Sequence, residues 1–247
     1  MKRTKLTENV SWLITCHEEH GRMSHLSQFV IQGTNANVLI DAGHADPDEM
    51  VEAINDVTDG AGIDVLLMTH AMLPHTENVR TVMDEWGAEV ISSSPIAVMV
   101  GLPETAKPKK VNATEEIAGR TFTFLDPLLT DVIISNWIFD HESGILFTAE
   151  GPGHYHDETE CQLTSAEMDD GIDFDDIHQF NEDKLPFLEV VDPAKLQAGF
   201  DAVFETLDVE YIAPMHGNPV HQDDLDDYIG KLIESVSRFK STAETRA

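Results

Sequence analysis

Imidazole and carboxylate side chains recur in this 247-residue sequence just where apolar runs end, and groups at such positions can bind a metal ion or move a proton. Asp64-Val-Leu-Leu-Met-Thr-His70-Ala-Met72-Leu-Pro74-His75-Thr closes one apolar run in Thr-His and leads toward a helix. Leu129-Thr-Asp131, Phe147-Thr-Ala-Glu150-Gly-Pro-Gly and Ile212-Ala-Pro-Met-His216-Gly repeat the arrangement, and Leu39-Ile-Asp41-Ala-Gly43 is a further strand end. Nitrogen and oxygen donors of these types suit zinc or iron. A histidine at a strand end is also commonly a hydrogen-bonded structural residue, so the residue types alone leave both readings open. The sequence has no Gly-x-Ser-x-Gly nucleophile elbow and no phosphate-cradling Gly-Lys loop.

The elements that must carry these residues alternate. Val10–Thr15, Leu26–Ile31 and Ala36–Asp41 read as strands, and Gly33-Thr-Asn35 between the last two predicts a hairpin. Asp46 and Pro47 open a helix over 46–57. Val65–Met68 reads as a buried strand, Glu77–Trp86 as an amphipathic helix and Glu89–Ser92 as a strand, the alternation a largely parallel layer requires. Thr121–Leu125, Val132–Phe139 and Ile145–Thr148 form a second strand group with a turn at His141-Glu-Ser-Gly144. Pro193–Leu207 then predicts a helix, Glu210–Ala213 a strand and Leu225–Phe239 a closing helix. Residues 151–192, rich in Asp, Glu and His, read as a long loop with at most one helical turn, and loops of that length are usually functional or lie across a neighbouring subunit. Trp12, Trp86 and Trp137 are expected in the core, and Asp223 to Asp227 at a solvated helix start.

Across residues 10–235 the order of these strand ends resembles the metallo-β-lactamase fold, most of all its flavodiiron or oxygen-binding di-iron branch. The carriers are the closing Ala213-Pro-Met-His216-Gly, the Leu146-Phe-Thr-Ala-Glu150-Gly segment, similar to that branch's Leu-Phe-Ser-x-Asp-x-Phe-Gly, and the His70 to His75 spacing. The resemblance implies one α/β domain over residues 1–247, a four-layer αββα sandwich, with His70, His75, Glu150 and His216 gathered at one edge of two sheets. The family carries a His-x-His-x-Asp-His or His-x-Glu-x-Asp-His run, so it implies ligands at 70, 72, 74 and 75, near 134, and at 150 and 216. This sequence supplies His70, Met72, Pro74, His75, Ile134, Glu150 and His216. The first metal position has lost most of its donors. His75, Glu150 and His216 are expected to hold at most one zinc or iron ion, with His70 beside them as a base; no other cofactor is expected. The competing reading is a cleft that kept its histidines after losing its metal. Pro74 should fix the backbone at the helix entry while deleting the carboxylate that positions a nucleophilic water.

Two further groups, Cys16, His17, His20 and His25, and His154, His156 and Cys161, make a second metal site conceivable, but their spacings match no zinc motif. Solvated loop histidines are the expectation. With two cysteines there is no disulfide framework, and each is expected as a reduced thiol.

Fifteen Lys and Arg against 46 Asp and Glu give a net charge of −31, spread among apolar runs instead of forming a tail. This composition points to a high-salt cytoplasm and argues against nucleic-acid or anionic-membrane partners. No apolar run approaches the ~20 residues of a membrane span, and no signal-peptide core follows Met1, so a cytoplasmic protein is expected. The family members that reduce oxygen or nitric oxide carry a flavin domain; none is expected after Ala247, so electrons would come from a protein partner. The resemblance also implies a homodimer. Two functions follow: a non-hydrolytic sensory, signalling or regulatory protein on a degenerate metal site, or a mononuclear zinc or iron hydrolase or oxidoreductase using the remaining His and Glu residues.

Overall fold

A computed structural model describes residues 1–92, 102–103, 105–132 and 134–246, with side chains as far as residue 239. The first sheet runs in sequence order through β1 (Lys2–Lys5), β2 (Val10–Glu19), β3 (Arg22–Gln32), β4 (Asn37–Ile40), β5 (Val65–Met68), β6 (Glu89–Ser92) and β7 (Lys107–Pro108). It is antiparallel as far as β4 and parallel from there on. The parallel part is built with the crossover helices α1 (Pro47–Val57) and α2 (Val79–Trp86). The second sheet comprises β8 (Ala113–Ile117), β9 (Arg120–Leu125), β10 (Trp137–Asp140), β11 (Ile145–Thr148), β12 (Tyr211–Pro214) and β13 (Val220–His221), in the spatial order 13-12-11-10-9-8. Against it pack α3 (Phe174–Lys184), α4 (Pro193–Thr206) and α5 (Leu225–Arg246).

Strand periodicity explains the layering. Trp12 and Ile14, Val38 and Ile40, and Leu67 face Phe122, Phe124, Ile138, Ile145 and Phe147 between the sheets. Their neighbours Leu13, Leu39, Leu66 and Met68 turn the other way, onto Met50, Ile54 and Val82 of α1 and α2. In the second sheet Trp137, Phe139, Leu146 and Ile212 similarly turn onto Ile177, Phe200 and Leu232 of the outer helices. Three apolar layers thus separate four structural ones, the predicted αββα sandwich. With burial worth roughly 1.5–3 kcal/mol for a large apolar side chain, strands apolar on both faces are held in the middle. Trp12 and Trp137 are fully buried as expected, and Trp86 is partly buried against the first core.

Four expectations about elements need correction. The strand expected over 132–139 begins only at Trp137, with residue 133 outside the described residues. Before it, Ser135 bridges to His70 and the Asn136 N–H donates to the Thr69 carbonyl, so this stretch ties the two sheets together. The helix expected from Glu77 begins at Val79, because the His75 carbonyl accepts the N–H groups of Ala42 and Gly43 and Thr76 bridges to Gly43. Pro74 therefore lies in a loop, not at a helix entry. Residues 151–192 hold α3 and three short 3-10 turns, with Ile177, Leu185 and Leu188 buried in the second core. The apolar periodicity of α3 is masked because Asp176 and Asn181 are among its buried positions, Asp176 paired with Arg22 and Asn181 bonded to Ser235. Finally β1 and β8 escape an apolar reading because each is a charged edge strand. Among the described residues no helix is long and apolar enough to cross a membrane.

Candidate metal centre

Four strand ends deliver the site. Asp41 follows β4, His70 and His75 follow β5, Glu150 follows β11 and His216 follows β12, so neighbouring parallel strands present polar groups at one edge. The predicted residues His70, His75, Glu150 and His216 do come together. Glu150 is the hub: its Oε1 lies 3.1 Å from His75 Nε2 and 4.0 Å from His70 Nε2, and its Oε2 lies 3.5 Å from His216 Nε2. One donor atom each of His70, His75 and Glu150 falls within 4.8 Å of the other two, and all four residues are buried.

The far side of each ring is tied to the protein. His70 Nδ1 bonds Ser135 Oγ at 2.6 Å, His75 Nδ1 faces Asp41 Oδ2 at 3.5 Å, and His216 Nδ1–H donates to the His25 carbonyl at 2.8 Å. With Nδ1 so engaged, all three Nε2 atoms turn toward the same carboxylate. This wiring orients the imidazoles, and the donor atoms of His70, His75 and Glu150 lie close enough together to hold a metal ion.

Asp41 is the residue that sequence reasoning saw without assigning a role. It is fully buried with a left-handed φ of 57°, a conformation costing a non-glycine residue roughly 1–2 kcal/mol. The Thr69 N–H donates to its Oδ1 at 2.8 Å and the Thr69 hydroxyl to its Oδ2, which anchors the carboxylate under His75. Its place in Leu-Ile-Asp-Ala-Gly was the only available signal.

The charges are mutually dependent. Burial alone would keep His75 neutral, but hydrogen bonds to Asp41 and Glu150 outweigh it and push its pKa up to about 9. His70 goes the other way: burial and the neighbouring His75 charge lower it to about 4. Burial opposes ionisation of Glu150, yet His216 and His75 hold its carboxyl well below the usual range. Asp131, with Oδ1 4.0 Å from His70 Nε2, is raised by burial and by the Glu150 charge. A cleft of about 570 Å³ opens over the group, with Glu150, His216, Asp131, His17, Leu73 and Pro74 among its walls.

Of the stretch expected near 134, Asp131 brings a carboxylate oxygen to 4.0 Å from His70 Nε2. Met72 is 43% exposed, and Ile134 is buried in the core beneath α1 and α2. Two other expectations fail. His25, His154 and His156 are buried, not solvated. His154 takes the Asn218 N–H on Nε2 and bonds Tyr228 on Nδ1, and burial holds its pKa down to about 3; it packs directly against Gly217. Nor are the cysteines reduced: Cys16 and Cys161 form a disulfide, brought together by the fold across a separation of 145 residues.

No family model matches the sequence, and no curated protein matches it. Solved structures do match. Rubredoxin oxygen:oxidoreductase from Desulfovibrio gigas superposes with a TM-score of 0.76 at 17% identity, over 96% of this chain and 62% of its own. The flavodiiron protein of Giardia intestinalis gives 0.75 at 18% identity, over 97% of this chain and 59% of its own. A fragment of a putative diflavin flavoprotein from Nostoc gives 0.76 at 15% identity, with 98% of both chains covered. This chain thus spans about 60% of the length of the first matching flavodiiron structures, such as that of Thermotoga maritima. What the superpositions establish is architecture: the chain has the metallo-β-lactamase fold found in flavodiiron proteins.

Proposed function

We propose that the chain binds a single iron or zinc ion on His70, His75, Glu150 and His216 and works as a non-hydrolytic binding protein with a sensory or regulatory role. The observation that carries this reading is the wiring of three imidazoles, each with Nδ1 engaged by the protein and Nε2 turned toward Glu150. An ion held there would supply a Lewis-acidic position open to a small ligand from the cleft. Asp41 fixes the orientation of His75, Ser135 that of His70, and the His25 carbonyl that of His216. In the metal-free protein the proton on His75 compensates the Glu150 charge, so metal uptake displaces that proton.

Hydrolysis is disfavoured because the loop that would carry a water-orienting carboxylate has Pro74 in its place, beside the exposed Met72 and Leu73. Iron-loaded protein should therefore bind a small probe such as nitric oxide or azide, seen by electron paramagnetic resonance or absorption, without hydrolysing generic ester, lactam or phosphodiester substrates. Robust hydrolysis of any of these would overturn the reading. One observation favours a mononuclear enzyme instead: Asp131 is a carboxyl at the cleft wall with a raised pKa, 4.0 Å from His70 Nε2, a spacing that one water-assisted step could bridge. Turnover abolished by Asp131→Asn with metal retained would favour that second reading. A homodimer and a high-salt environment remain part of the proposal, supported by the resemblance and by the charge of −31.

A further inference from the structure

A second cluster lies on the far side of β3. Cys16 on β2 is the cross-strand partner of His25 on β3, and His156 is joined to Met23 of the same strand by two backbone hydrogen bonds of 2.9 and 3.1 Å. Cys161 completes the group through its disulfide to Cys16. One donor atom from each of Cys16, His25, His156 and Cys161 lies within 4.8 Å of the other three. His25, His156 and Cys161 are almost wholly buried, and the two rings stack with centroids 4.0 Å apart.

The imidazoles are prepared as ligands are. His25 Nε2–H donates to the Cys161 carbonyl at 3.0 Å, and its Nδ1, buried, has no hydrogen-bond partner. His156 Nδ1–H donates to the Asp157 carbonyl at 2.8 Å, and its Nε2 faces Cys16 Sγ at 3.8 Å. One nitrogen of each ring is thus fixed on a backbone carbonyl and the other keeps its lone pair, the arrangement by which proteins orient metal-binding histidines. Burial, joined for His25 by the neighbouring imidazole, favours the neutral rings. Only the sulfurs are unavailable, because each is bonded to the other. Both line a surface cleft of about 410 Å³, through which a reductant and an ion can reach them.

We propose that Cys16, His25, His156 and Cys161 form a redox-gated zinc site, closed by the disulfide in the oxidised protein and open to one zinc ion after reduction. A dithiol reductant transfers two electrons and two protons to the Cys16–Cys161 bond and leaves as its own cyclic disulfide. The two thiols then give their protons to solvent as the ion binds, and two thiolates with two imidazoles make the tetrahedral set zinc prefers. This site needs no metal at Glu150, so it stands independently of the function proposed above.

Cobalt titration tests it, because thiolate-to-cobalt charge transfer can arise here and not at a centre of nitrogen and oxygen donors. Protein reduced with a water-soluble phosphine should take up one more cobalt ion than oxidised protein, with that band and tetrahedral visible bands, and zinc should bleach both. Replacing both cysteines by serine should abolish the thiolate band, Cys16→Ser alone should weaken it, and His156→Ala should weaken cobalt binding by about ten-fold or more. No additional ion in reduced protein, or a thiolate band unaffected by His156→Ala, would overturn the proposal. If the reduced chain loses ellipticity, one equivalent of zinc should restore it; failure to restore it would also overturn the proposal.

Discussion

The cluster around Glu150 and the cluster around Cys16 are built alike and kept apart by what balances them. Both use histidines with one nitrogen fixed by the protein, and both lean on β3, since the His25 carbonyl that accepts from His216 belongs to the residue whose ring sits beside the disulfide. At Glu150 the donors are hard or borderline, and a proton on His75 offsets the carboxylate. At Cys16 the rings are neutral and a covalent bond masks the sulfurs. The difference teaches that the two faces of one strand can carry a charged cluster, whose proposed ligand is a metal, and a neutral one, whose proposed control is redox state.

Breaking the hub should have the largest effect. Glu150→Gln removes the partner of a buried cation, so the metal-free protein should lose about 3 kcal/mol in denaturant unfolding. Metal should be lost with it, and the disulfide cluster should be unaffected.

The pH dependence of the metal-free protein should expose the Glu150 cluster together with the buried His154. His75 keeps its proton in the folded state up to about 9 but loses it near 6.5 when unfolded, so its contribution is complete below about pH 6.5 and disappears as the pH rises toward 9. On the acid side the signs reverse. His70, near 4, and His154, near 3, stay neutral when folded but protonate near 6.5 when unfolded, so stability falls as the pH drops below about 6.5. Melting temperature should peak between these limbs, and bound metal should flatten the alkaline one; an alkaline limb of equal slope with and without metal would contradict the proton–metal exchange at His75.

Two substitutions sharpen the comparison further. His216→Ala should strip the metal, whereas Met72→Ala, at an exposed side chain, should leave it bound and change stability by no more than about 0.5 kcal/mol. Salt separates surface from interior. Lowering ionic strength from molar to millimolar should reduce the melting temperature as the charge of −31 is unscreened, while metal occupancy at the buried centre changes little. An unchanged melting temperature would count against a high-salt origin.

Much of this architecture was legible because short uninterrupted apolar runs such as Val38 to Ile40 and Ile145 to Phe147 mark strands buried on both faces, and the resemblance carried by their ends implied that His70, Glu150 and His216 meet. What stayed hidden depends on contacts between distant segments. The buried Asp176 of α3 makes sense only beside Arg22, and Asn181 only beside Ser235. Cys16 and Cys161 match no motif because two strands and a loop, not local spacing, bring them together. Asp41 was visible at its strand end, but its role beneath His75 is a matter of backbone conformation.

The central claim is one ion on three imidazoles and Glu150, and elemental analysis of untagged, oxidised protein purified in molar salt tests it most directly. One equivalent of iron or zinc per chain, lost in His216→Ala and retained in Met72→Ala, is the predicted result. Two equivalents in the oxidised protein, or none after incubation with both metals, would contradict it.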